Sequence, residues 1–213
     1  MPKKTLAWLG MTLLAVAVAG YAGAIVIAPE LRPPLVRSLF ADWPIAAPVH
    51  FAGGAVALAV GAFQLNSRIR ARFIAIHRWL GRTYLLAVAA GGVASLVLAV
   101  HSSAAPVARV GFGLLGVFWL VSTFNAYRYI RQGEVGAHRN WMIRSYALTL
   151  AAVTLRLYLP LSLIAGVPFT IAYPPIAWVC WVPNLLVAEW LVRSGRSSFT
   201  MMTTLPRARP VSR

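Results

Sequence analysis

Residues 138–160 read HRNWMIRSYALTLAAVTLRLYLP. A basic lead-in, His138 and Arg139 followed by Arg144, runs into an apolar segment, and Arg156 then lies deep inside that segment. A related lead-in, HRWLGRTY, occupies residues 77–84 and carries His77, Arg78 and Arg82. A basic stretch feeding an apolar run is how a membrane span leaves the side on which positive charge is retained.

The rest of the chain agrees with that reading. Of its 213 residues 60% are hydrophobic and only 11% are charged, with a mean hydropathy of +0.72. A soluble domain carries about 25% charged residues, so this is a membrane protein. Six apolar stretches lie near 5–28, 44–65, 83–101, 107–127, 145–166 and 173–192. Each is long enough to cross about 30 Å of hydrocarbon at about 1.5 Å per residue. The expected architecture is all-α: one six-helix transmembrane domain over 1–195, followed by a basic tail, 196–213, at the membrane surface. Lys3, Lys4 and the YAGA stretch imitate a signal peptide, but the first apolar run exceeds the usual h-region of about 7–15 residues. It is expected to remain as a helix.

Charge is lopsided, with 20 Lys and Arg against 4 Asp and Glu. Sixteen of the cations fall in the terminal segments and alternate loops that share one side, and Arg32, Arg37 and Arg109 fall on the other. The positive-inside rule then places both termini in the cytoplasm. It also makes anionic lipid headgroups the expected partner of the basic loops and excludes nucleic acid. Cys180 is the only cysteine and sits in an apolar run, so disulfides within the chain and CxxC metal motifs are excluded.

The two lead-ins belong to a longer self-similarity. At an offset of 61, Phe63, Gln64, Ile69, Arg70 and His77-Arg78 meet Phe124, Asn125, Ile130, Arg131 and His138-Arg139. One inserted residue later, Arg82-Thr83-Tyr84 meets Arg144-Ser145-Tyr146. Spans two and three, and spans four and five, thus read as two copies of one hairpin in parallel, an arrangement that builds sites at the shared interface.

Four histidines form two candidate pairs. His50 and His101 lie toward the outer side, on helix faces of small residues (Gly53, Gly54, Ala57 and Gly61; Val97, Ala94, Ala90 and Ala87). Such faces either pack tightly or leave a slot for a flat macrocycle, and paired imidazoles are what a bis-histidine haem b requires. The inner pair, His77 and His138, falls in the headgroup region, where the His-Arg lead-ins (His77, Arg78, Arg82, His138, Arg139, Arg144) suit anions or lipid headgroups. Its distance from the outer pair, about 30 Å by helical rise, excludes two stacked haems.

Arg156 is the costliest residue, because arginine at a span centre costs about 2.5–3.5 kcal/mol even on insertion scales. It must face the bundle interior. Asn184 matches its level, whereas Glu189 lies nearer Arg144. In a structural role it pairs with Asn184 and backbone carbonyls; in a functional one, with a haem propionate, a carboxylate or a quinone oxygen. The literal GxGxxG at 111–116 has no preceding strand and reads as a packing face.

HRWLGRTY, HRNWMIRSYALTLAAVTLRLYLP and WVCWVPNLLVAEWLV (178–192) resemble an uncharacterised family of bacterial predicted membrane proteins, domain-of-unknown-function family 2306, over roughly residues 45–195. The resemblance implies a multi-span inner-membrane protein and brings no activity with it. A looser similarity, in the paired histidines and the spacing from His77 to Gly81, points to cytochrome b561-type proteins. Three readings follow. The first is a haem b electron-transfer or redox-accessory protein using His50, His101 and Arg156, with a quinone or redox partner. The second is a non-enzymatic scaffold or assembly factor, and the third a transporter of a small anionic or amphipathic solute.

Overall fold

The computed structural model describes residues 3–195, all of whose regular structure is helical. The tail, 196–213, lies outside the described residues. Ten α-helices follow in order: α1 Lys3–Ile27, α2 Pro34–Asp42, α3 Ala46–Gln64, α4 Ser67–Arg72, α5 Ile74–His101, α6 Pro106–Arg131, α7 Val135–Thr149, α8 Ala151–Ile164, α9 Phe169–Val179 and α10 Val182–Arg193. Six segments are long and apolar enough to cross a membrane: α1, α3, α5, α6, α7 with α8, and α9 with α10. Many large apolar side chains on them face outward, Leu13, Leu86, Ile164 and Leu186 among them. In a bilayer the solvent on that surface is hydrocarbon.

α3 packs against α1 and α5, and α6 packs against α5, α7 and α9. Small residues set the spacing. A Cβ on Gly53 of α3 would come within 2.7 Å of the Ala87 carbonyl oxygen and 3.0 Å of the Gly91 Cα, so α3 and α5 touch backbone to backbone there. Gly111 of α6 lies under Trp178, and Gly116 faces Ser95, so the GxGxxG run is a packing face.

The structure departs from the sequence reading in three places. The third and fifth spans begin at Ile74 and Val135, not at 83 and 145, so both His-Arg lead-ins are helical. Arginine, leucine and alanine all favour helix. Apolar patterning stops at the charges while the backbone continues, and the 28 residues of α5 extend about 42 Å, beyond the hydrocarbon. The short helix α2 also has no span-like signature. It lies at the end opposite the lead-ins, with Phe40 buried against Ile25, Ala47 and Leu98.

Third, the fifth and sixth spans are each broken, at Leu150 and at Cys180–Trp181. Pro183, in the first turn of α10, supplies no amide hydrogen at the second break. Asn184 bridges both breaks: the two protons of its Nδ2 are shared among Thr154 Oγ1 at 3.0 Å, the Cys180 carbonyl at 3.1 Å and the Ala147 carbonyl at 3.4 Å. At the α2 end, Arg32 donates to the Ile25 and Val26 carbonyls that end α1, and Arg109 to the Ala99 and Val100 carbonyls that end α5. Both arginines therefore cap helix C-termini.

Candidate functional site

Two of the polar centres inside the bundle are built in opposite ways. The first joins α5, α6 and α7. Tyr84 Oη lies 2.8 Å from Ser145 Oγ and 2.9 Å from Thr149 Oγ1, and Trp119 Nε1 donates to Thr149 Oγ1 at 2.9 Å. Thr123 Oγ1 donates to the Trp119 carbonyl and meets Ser145 Oγ at 2.7 Å, while Thr149 donates to the Ser145 carbonyl. The four hydroxyls supply four protons for these five hydroxyl contacts. Every oxygen has a partner, and one contact at a time goes without a proton. Beside the network, Tyr146 donates to the Leu58 carbonyl of α3 at 3.1 Å, its ring lying over Gly61. In the sequence Tyr84 and Tyr146 stand out only as members of the repeated lead-ins. The signal for the network is the Ser145–Thr149 pair, one helical turn apart inside an apolar span.

The second centre is Arg156. It reaches from α8 toward α1 and α3, with its guanidinium 5.6 Å from the Tyr21 ring centroid. Nη1 donates to the Ala152 carbonyl of its own helix at 3.1 Å. Nε is buried with no hydrogen-bond partner. His50 lies within electrostatic reach, and its Nδ1 donates to the Gly91 carbonyl at 3.0 Å. That bond assigns the proton to Nδ1 and leaves Nε2 of the neutral ring as an acceptor. Asn184 is committed to the helix breaks and does not partner Arg156.

No Asp or Glu among the described residues pairs with this arginine. Glu189 takes Arg144, with Arg144 Nε 2.5 Å from Oε1 and Nη2 3.1 Å from Oε2, and Arg193 at 3.6 Å. Glu30 and Asp42 belong to the α2 end, and Glu134 precedes α7 at the opposite end, its side chain making no capping bond.

His50 and His101 are not brought together. His50 is bonded at the level of Gly91, ten residues before His101 on α5, which is about 15 Å of helix. His101 stacks instead on Trp43, with ring centroids 4.5 Å apart. A haem plane between α3 and α5 would also have to part the Gly53–Gly91 contact. Nor do His, Cys, Asp and Glu form a metal-binding group among the described residues.

The lead-ins are sorted as well. Arg144 is neutralised by Glu189, and Arg82 lies over Trp79 at 5.4 Å. His77 and His138 stand within electrostatic reach of each other and of Arg70. His138 Nδ1 donates to the Ala126 carbonyl at 2.8 Å, and the His77 carbonyl accepts from Gln64 Nε2 at 3.1 Å.

These features define a class: a polytopic helical membrane protein with one arginine left uncompensated among its spans. More particularly, the chain belongs to the family described as predicted membrane protein DUF2306, whose model matches residues 47–192. His50, Arg156 and both lead-ins lie inside that match, and Tyr21 lies outside it. No curated protein and no solved structure matches the chain.

Proposed function

We propose that the protein binds a lipid-soluble ligand with an oxygen acceptor, a carboxylate or quinone head, between Arg156 and His50. The carrying observation is the buried, unpartnered Arg156 Nε in a chain whose four carboxylates are all placed elsewhere. A guanidinium in hydrocarbon without acceptors is expensive, and a ligand oxygen removes that cost. The Tyr21 ring supplies a flat apolar wall, and His50 Nε2 an acceptor for a hydroxyl or quinol proton. A quinone would make this a redox-accessory protein; a fatty carboxylate would make it a carrier of anionic amphiphiles. The charge distribution supports an inner-membrane location with the lead-ins and both termini on the cytoplasmic side.

Thermal unfolding of the detergent-purified protein tests the reading. Decyl-ubiquinone or decanoate should raise the melting temperature of the wild type and leave that of Arg156→Gln unchanged. Equal shifts in both proteins, or none with either compound, would sink the proposal. A reduced-minus-oxidised spectrum with a Soret band, abolished by His50→Ala and by His101→Ala, would instead return the centre to haem.

A further inference from the structure

The end of the bundle that carries the lead-ins holds a second unbalanced group, separate from Arg156. His77 and Arg78 begin α5, His138 and Arg139 begin α7, and Arg70 comes from α4. Each histidine is the fourth residue of its helix, so the two His-Arg pairs are presented at the same register. Seven residues beyond each histidine, Tyr84 of α5 and Ser145 of α7 meet at 2.8 Å, and Arg70 lies within electrostatic reach of His77, His138 and Arg139, so these residues form one field and not two separate loops. Arg139 is half-buried, so its charge is screened less than that of a fully hydrated arginine.

No Asp or Glu among the described residues pairs with that field. Of the two carboxylates at this end, Glu189 is taken by Arg144 and Arg193, and Glu134 forms no ion pair among the described residues. Arg70 and Arg139 repel each other, and Arg78 adds its charge beside His77, so an anion among them is favoured. Guanidinium groups match phosphate oxygens in geometry as well as charge. The first-turn amides of α5 and α7 point the same way.

We infer that this basic end of the bundle is a binding site for a ligand with two phosphate groups, one held by each His-Arg pair and both shared by Arg70. A single phosphate engages one pair only and leaves the other uncompensated. The chemistry fits a bis-phosphate lipid in the bilayer or a free diphosphate from water.

Native mass spectrometry from phosphatidylcholine nanodiscs distinguishes the two sources. One set contains a minor fraction of tetraoleoyl cardiolipin, which has two phosphates, and a second set contains phosphatidylglycerol, which has one. A third set is plain, with inorganic pyrophosphate added to the buffer. One cardiolipin per protein should be retained about tenfold over phosphatidylglycerol, and Arg70→Gln/Arg139→Gln should remove the preference. Arg37→Gln/Arg193→Gln, with the same loss of net charge, should keep it. The single variants Arg70→Gln and Arg139→Gln should each show an intermediate loss, which keeps the test open if the double variant does not fold. Pyrophosphate binding that the same variants abolish, without cardiolipin preference, supports the site with a soluble ligand. Equal retention of both lipids with no pyrophosphate bound, or a preference untouched by the variants, overturns the inference.

Discussion

The tyrosine centre and the arginine centre face the same difficulty, polar atoms enclosed among membrane helices, and resolve it differently. Around Tyr84 each hydroxyl meets others from neighbouring helices, and Tyr146 extends the tie to α3. Around Arg156 the neighbours offer one carbonyl of its own helix, an aromatic face and a histidine whose Nδ1 is already used. A closed network fixes one arrangement of helices. An open one retains a cost that only something from outside the chain removes. On the proposed reading, the difference separates residues that hold the bundle from a residue that a ligand completes.

The comparison is broken most directly at the tyrosine centre. Tyr146→Ala would remove a ring packed over Gly61 together with its bond to the Leu58 carbonyl. The expected loss is about 3 kcal/mol, measured by denaturant titration in mixed micelles. A loss below about 1 kcal/mol would mean that the bundle repacks around the gap and that this centre is not what holds it.

Tyr84→Phe should have a smaller effect, for a reason found in the proton count. Removing the hydroxyl takes away one proton and two contacts, so the three remaining protons serve the three remaining hydroxyl contacts. Nothing is left orphaned, and the cost should be about 1 kcal/mol, typical of membrane hydrogen bonds. Titration of Tyr84→Phe, Ser145→Ala and the double variant checks this. The double variant should lose less than the sum of the singles, and strict additivity would show that the hydroxyls do not share protons.

How much of this is legible in the sequence varies with what the lipid demands. Six spans are readable because hydrocarbon requires long apolar runs, and the lead-ins because charge collects at their ends. Counting along helices also raises Arg156 toward the level of His50, and the structure places the two within electrostatic reach. Counting gives height without direction around the helix axis, however. Asn184 sits near the right level but turns to the broken backbone at Cys180 and Ala147. The break at Leu150 leaves no mark in composition, since leucine and alanine on either side favour helix. Pro183 does mark the other break. His50 and His101 look alike as outer histidines, yet ten residues of α5 separate the level of one from the other. Their separation follows from the crossing at Gly53, which only the packed structure fixes.

The smallest effect on stability is expected at the most conspicuous residue. Arg156→Met keeps a long flexible side chain, removes the single bond to the Ala152 carbonyl and abolishes the unpartnered Nε. Replacing a poorly compensated buried charge by an apolar residue is often neutral or stabilising, by about 1 kcal/mol or more. Denaturant titration of the unliganded protein should therefore show no loss, while the melting-temperature response to quinone or fatty carboxylate disappears. A loss of about 3 kcal/mol without ligand would place Arg156 beside Tyr146 as a residue that holds the helices together, and would favour a scaffold over a binding protein. Stability kept while ligand response is lost is the combination a packing role does not produce. That combination is what separates an arginine retained for a ligand from one retained for the fold.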